Sequence, residues 1–259
     1  MHEHWLKTLG LDGGLIAFVG AGGKKTALCR VARDFPGRVA ATATAFTTPL
    51  RRIGDGAQVV TVDPEGGGDW PQAVIGAANP RLCVLGPEAK KGRCAGLAPD
   101  RVTELHRVGG FDATLVKADG ARMRGVKAPQ PGEPVLPPQT DRVVALLSIG
   151  VLGRPLDAEH VHRPERVAAV TGLGLGDPLS ADALATLIRH PAGLLGNIPP
   201  DLPATVIINQ VDDAERLGAA REVARAALAG DGHRLPGIAL AAMAAAGPPL
   251  REWVAHETV

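Results

Sequence analysis

The chain of 259 residues suits one large α/β domain, or a domain carrying a sizeable insertion, and 45% hydrophobic residues supply a normal buried core. With 28 basic and 27 acidic residues the net charge is +1, too small an excess to neutralise a nucleic-acid backbone. Aromatics are 3% and Tyr is absent, which argues against a base-stacking platform and leaves a small molecule or a protein as the expected partner.

The N-terminal Met1-His-Glu-His-Trp-Leu has no basic region ahead of an apolar core, so no signal peptide is expected. The longest apolar run, Val143 to Leu152, is too short and interrupted to span a bilayer, so the expected location is the cytoplasm, with no membrane partner. Cys29, Cys83 and Cys94 are far apart in sequence and form no CxxC. They read as ordinary reduced thiols, and no metal site is expected.

In chain order, Leu15–Val19 reads as a buried strand that runs into Gly20, Ala21, Gly22, Gly23, Lys24, Lys25 and Thr26. A helix over Lys25–Phe35 follows, with Leu28, Val31, Ala32 and Phe35 on one face. Further short apolar runs predict strands at Val39–Thr42, Val59–Val62, Leu82–Leu85, Ala113–Val116, Val143–Leu147 and Thr205–Ile208. Helical spacing recurs at Ser180–Ile188, opened by a good N-cap, and at Ala214–Leu228. The alternation predicts an α/β fold with a doubly wound, mostly parallel sheet of P-loop NTPase type, with ligands at the strand C-terminal ends. The expectation is a single domain over 1–259, with 121–200 containing an inserted segment that binds a substrate or partner. Asp63–Asp69 is Gly-rich and reads as a surface loop; Pro-rich Lys127–Gln139 reads as extended and opens the insertion.

Strand, glycine-rich turn, lysine and helix together make a phosphate-binding loop. Without Cβ atoms the backbone N–H groups can close on phosphate oxygens, the helix start adds partial positive charge, and Lys24 adds a full one. The alternative is a turn that merely lets the helix pack closely on the strand. Lys25 occupies the position after the lysine, where Ser or Thr usually ligates Mg²⁺. Mg²⁺ use is therefore doubtful, although Thr26 is a nearby hydroxyl.

Two further strand ends carry chemistry. Lys117-Ala-Asp119-Gly120 puts a carboxylate where such folds hold a metal-bound water or orient a nucleophile, or where it simply makes an Asp-Gly turn. Asn209-Gln210-Val-Asp212 resembles a degenerate NKxD element. Asp212 would accept hydrogen bonds from guanine, Asn209 would tie this loop to the phosphate loop, and Gln210 would replace the lysine that covers the base; the alternative is an ordinary turn of Asx residues after the strand. About 90 residues separate Asp119 from Asn209, more than a simple crossover needs. They contain Arg122, Arg124, Lys127 and His160-Val-His162-Arg163-Pro-Glu165, side chains suited to an oxyanion or phosphate, or else a solvated helix start at Pro164.

Taken together, the chain resembles the YqeC family, described as accessory proteins for selenium-dependent molybdenum hydroxylases. The resemblance rests on Val19-Gly-Ala-Gly-Gly-Lys24, Gly110-Phe-Asp-Ala-Thr-Leu-Val116, Ala118-Asp-Gly-Ala-Arg122, Lys127-Ala-Pro129, Glu133-Pro-Val-Leu-Pro137, Thr140-Asp141, Val161-His-Arg-Pro-Glu165 and Asn209-Gln-Val-Asp212. It implies a P-loop NTPase-like fold, a nucleoside triphosphate (GTP or ATP) as cofactor, and a role with a molybdoenzyme or molybdenum-cofactor maturation protein. A molybdenum cofactor or molybdate would be the second ligand, held by Arg122, Lys127, His162 and Arg163. The family usually reads Gly-Lys-Thr and Glu-Ala-Asp-Gly where this chain has Gly23-Lys24-Lys25 and Lys117-Ala-Asp119-Gly120. Lys25 and Lys117 would then stand in for Mg²⁺, each worth about 1–4 kcal/mol at ~4 Å from a phosphate oxygen, or else mark drift in a chain that no longer binds nucleotide. A non-catalytic scaffold for a maturation partner, and a small-molecule kinase or nucleotidyltransferase with Asp119 as base, remain open.

Overall fold

The computed structural model describes residues 4–63, 70–229 and 235–256. Apart from Asp63, the Gly-rich stretch Asp63–Asp69 lies outside them. The chain begins with α1 (His4–Thr8), β1 (Gly14–Gly20), α2 (Lys24–Asp34), β2 (Val39–Ala43), β3 (Gln58–Thr61) and α3 (Trp70–Ile75). Next come β4 (Arg81–Leu85), a hairpin of β5 (Glu88–Lys90) and β6 (Arg93–Cys94), α4 (Pro99–Gly109), β7 (Ala113–Lys117) and β8 (Val126–Lys127). Then follow β9 (Arg142–Ser148), a 3-10 turn (Ile149–Val151), β10 (Val161–His162), α5 (Pro164–Thr171) and α6 (Ala181–Arg189). The chain closes with β11 (Ala204–Asn209), α7 (Ala214–Leu228), β12 (Gly237–Ala241) and β13 (Leu250–Ala255). Among these residues no helix is long and apolar enough to cross a membrane.

Nine strands form one sheet in the order β13-β12-β11-β9-β1-β7-β2-β4-β3. All seven strands expected from apolar runs lie in it, and the sheet is mostly parallel, as the α/β alternation predicts. Residues of β2, β7 and β11 are buried throughout, which is why they read as continuous apolar runs rather than alternating ones. The stretch 121–200 contributes β9 to this sheet.

The chain packs as two compact units. One comprises Met1–Phe18, Lys25–Gly120 and Val135–Val143; the other comprises Val19–Lys24, Ala121–Pro134 and Val144–Val259.

In the first unit β7 runs parallel to β1 on one side and β2 on the other, with Phe18 opposite Lys117. Trp70 and Val74 of α3 and Val102 and Leu105 of α4 join Leu82 and Val84 of β4 in one apolar cluster. Each such side chain contributes roughly 1.5–3 kcal/mol on burial. The expected face of α2, Leu28, Val31 and Ala32 with Phe35 just beyond its end, is buried.

In the second unit β11 pairs in parallel with β12, and β13 adds an antiparallel edge. Two of its helices, α6 and α7, start at side-chain caps. Ser180 Oγ accepts from Ala183 N at 3.1 Å, and Asp213 Oδ1 accepts from Arg216 N at 2.8 Å. Arg221 of α7 holds Glu252 of β13, with Nη2 2.6 Å from Oε2. Helix α5 begins at Pro164 with Glu165 in its first turn, so the segment after His162 is indeed a helix start.

Candidate functional site

Strand β1 ends at Gly20, where the chain turns sharply through three glycines of positive φ: Gly20 at 87°, Gly22 at 71° and Gly23 at 112°. Space as well as dihedral angle demands glycine. A Cβ on Gly22 would stand 2.4 Å from Ser148 N, and one on Gly23 2.4 Å from Asn209 Nδ2. Two loop amides are used inside the protein: Ala21 N donates to Leu146 O at 2.8 Å and Gly22 N to Arg124 O at 2.9 Å. Neither of these two amides is therefore left for a ligand. Lys24 is buried, and its ammonium donates to Gly20 O, inside the turn whose charge it sets.

The loop after β11 locks onto the glycine turn. Asn209, 3% exposed, donates from Nδ2 to Gly22 O at 2.8 Å and accepts from Met243 N at Oδ1, 3.0 Å. Gln210 sits in left-handed backbone at φ 66°, and its Oε1 accepts from Ser148 Oγ. Asp212 is half-exposed and paired with Arg216 one helical turn on, at 2.9 Å. Beside this loop lies a cleft of about 460 Å³ whose lining includes Gly150, Arg154, Asp213 and Arg216.

In the first unit, Lys117 is buried at the end of β7 and donates to Phe46 O at 3.1 Å. Lys25 donates to Thr48 Oγ1. Two lysines from separate elements thus hold the same short segment after β2. Asp119 is buried two residues beyond Lys117, and Thr26 is exposed on α2. Among the described residues, no three His, Cys, Asp or Glu side chains are grouped so as to hold a metal ion.

A second polar cluster stands in the second unit. β8 and β10 pair in parallel with Lys127 opposite His162. Lys127, 1% exposed, binds Glu133 Oε2 at 2.8 Å, and Arg163 grips both oxygens of the same carboxylate at 2.8 and 3.1 Å. Burial opposes the charge on Glu133, but the hydrogen bonds from Arg163 and Lys127 prevail and bring its pKa down to about 2. Asn197 Nδ2 holds the turn by donating to Gln130 O and Glu133 O at 2.8 and 2.7 Å. Burial, reinforced by Arg163 and Lys127, brings the pKa of His162 down to about 4, so its ring is neutral at pH 7. His160 does not share its strand; it lies just outside β10 and bonds Asp157 at 2.9 Å.

The family model described as YqeC protein matches residues 16–165. The chain belongs to the YqeC family. It is also similar to "Uncharacterized protein YqeC" of Escherichia coli (strain K12), 31% identical over 142 residues, 55% of this chain and 56% of that protein. The chain thus matches little more than half the length of that relative.

The span matched by the YqeC model contains the glycine loop, Lys117, Asp119, Arg122, Lys127, His162 and Arg163; it stops short of Asn209, Gln210 and Asp212. Glu133, Asn197, Ser148 and Met243 were not among the candidate residues. Only Glu133 carried a signal, as part of Glu133-Pro-Val-Leu-Pro137. The bonds that tie the other three to their distant partners in this site are long-range and carry no local spacing.

Proposed function

We propose that this YqeC-family protein is a nucleotide-binding accessory protein in molybdenum-cofactor or molybdenum-hydroxylase maturation. The observation that carries the nucleotide reading is the bond from Asn209 Nδ2 to Gly22 O. It couples a loop of base-reading type to a loop of phosphate-binding type through one buried side chain. In this reading the amides of Gly23 and the first turn of α2, with Lys24, hold phosphate oxygens. Lys25 and Lys117 supply charge that Mg²⁺ would otherwise bring, and Asp119 orients the group at the terminal phosphate. Asp212 reads the base after leaving Arg216, an exchange made cheap because an exposed i,i+4 pair is worth only about 0.3–0.5 kcal/mol. Lysines bind phosphate without activating a water as a metal does, so hydrolysis is slow or absent.

A second reading, a non-catalytic scaffold, is favoured by the internal use of the Ala21 and Gly22 amides. Calorimetric titration of GTP, ATP and CTP, with Mg²⁺ and with EDTA, separates the two. Saturable binding of one nucleotide, equal in EDTA and lost in Lys24→Ala, supports nucleotide binding. No binding of any of them to folded protein leaves the scaffold. The maturation role is tested by deleting the gene and assaying molybdenum hydroxylase activity, which falls if the role is right and is unchanged if it is wrong.

A further inference from the structure

We propose that the basic hairpin β5–β6, together with the exposed Phe46, is a docking surface for an acidic face of a partner protein. The inference does not depend on nucleotide binding and stands on either reading of the function.

Charge is the first argument. Residues 44–56 and 86–96 lie side by side, because Thr47 and Cys94 exchange backbone hydrogen bonds of 3.1 and 2.8 Å. Together they carry the exposed cations Arg51, Arg52, Lys90, Lys91 and Arg93 against two carboxylates, Asp55 and Glu88. That surplus exceeds the +1 of the whole chain, so the remaining residues are net negative. Among the described residues none of the five cations is in an ion pair, and Glu88 Oε1 is already engaged by Gly92 N at 2.9 Å. One or two lysines are enough to keep the open edge of a hairpin from pairing. Arg51 and Arg52 lie on no strand, so edge protection does not explain them.

The second argument is the apolar centre. Phe46 and Val135 are 44% and 37% exposed. Thr44 ties them together: it stands two residues before Phe46, and its Oγ1 donates to Val135 O at 2.7 Å. Lys90 Nζ lies 4.5 Å from the centroid of the Phe46 ring, which joins the hairpin to this apolar pair. An apolar centre inside a charged, Arg-containing rim is the anatomy of a protein–protein contact. Nucleic acid fits less well. Lys90 covers one face of the only aromatic ring of the patch, and a long polyanion leaving it meets a net negative remainder. A compact acidic face bearing an apolar side chain matches both features.

The third argument is rigidity. The segment bearing Phe46, Arg51 and Arg52 is held by Lys117 Nζ, which donates to Phe46 O at 3.1 Å, and by Lys25, which donates to Thr48 Oγ1. Leu50 N donates to Cys83 Sγ at 3.3 Å, and Ile53 is fully buried just beyond the two arginines. The hairpin closes on itself with Glu88 opposite Cys94 and Lys90 opposite Arg93. A backbone held at this many points loses little freedom when a partner docks on it.

The test is fluorescence anisotropy of a short fluorescein-labelled peptide, Asp and Glu around a central Leu-Leu pair, titrated with the full-length protein. Saturable binding is expected, about tenfold or more tighter than for the same peptide with Asn and Gln in place of its acids. Lys91→Glu should weaken it about fivefold or more. Arg225→Glu, which changes the net charge equally on an exposed position of α7, should change it less than about twofold. Phe46→Ser should weaken it about threefold or more through the lost apolar centre. No binding of the acidic peptide to folded protein, or equal losses in Lys91→Glu and Arg225→Glu, overturns the inference. So does an oligouridylate that binds as tightly as the peptide, which makes the patch a nucleic-acid site. A concentration-dependent dimer in analytical ultracentrifugation, lost in Lys91→Glu, also overturns it, because the occupant is then a second copy of this chain.

Discussion

Asn209→Ala removes two buried hydrogen bonds at once, from Nδ2 to Gly22 O and from Met243 N to Oδ1. Both backbone partners are left inside the protein, and an unsatisfied buried group costs about 1–3 kcal/mol. The loss should be on the order of 2–5 kcal/mol, and on the order of 10 °C in Tm for a chain of this size. Asn209→Asp keeps the acceptor for Met243 N but turns a carboxylate oxygen towards Gly22 O, so it should lose at least as much. Urea unfolding followed by circular dichroism and by tryptophan fluorescence measures the loss and tests whether both probes see one transition. Calorimetry then measures nucleotide affinity, which should fall with stability because the glycine turn loses its tie. A loss below about 0.5 kcal/mol, the scale of ordinary surface substitutions, refutes the argument that Asn209 locks this turn.

Gly22→Ala forces a Cβ to within 2.4 Å of Ser148 N at a φ of 71°, so it should cost about 3 kcal/mol or more, seen as poor soluble yield or a large fall in urea midpoint. Gly218→Ala, in α7 with no atom within 4 Å of the new Cβ, should stabilise by up to about 1 kcal/mol in the same assay. Stability should fall as pH drops from about 6.5 to about 4, because unfolded His162 takes a proton that the folded protein refuses, and fall further from about 4.5 to about 2 as Glu133 protonates. Urea midpoints against pH read both limbs, and His162→Gln should flatten the upper one. Restoring the usual family residues with Lys25→Thr and Lys117→Glu should make nucleotide binding Mg²⁺-dependent, which titrations with and without EDTA would detect.

The sheet was legible where burial on both faces leaves unbroken apolar runs, as in Val39–Ala43 and Ala204–Asn209. β12 and β13 escaped for opposite reasons. Gly237-Ile-Ala-Leu-Ala241 is Ala-rich enough to read as helix or strand, and β13 is an edge strand with Arg251, Glu252 and Trp253 in succession. Helix α4 carried Pro at its first position and a left-handed Gly110 at its end, signals whose positions match its bounds but which the periodicity reading passed over. In the site, the glycine spacing made the loop visible, since a turn this tight has few other solutions. The use of the Ala21 and Gly22 amides could not be read, because it depends on where Leu146 and Arg124 arrive in space. Glu133 lay in a visible motif, but its pairing with Arg163 was hidden, because Arg163 lies 30 residues on, beyond an irregular Pro-rich stretch with no periodicity to align them.

The account stands or falls on calorimetric titration of GTP, ATP and CTP into the purified protein, with Mg²⁺ and with EDTA. It predicts that one nucleotide binds saturably, equally well in both conditions, and that Lys24→Ala abolishes the heat. If folded protein takes up none of the three, or takes one up only with Mg²⁺, then the glycine turn is structural in the first case and the two-lysine replacement is wrong in the second.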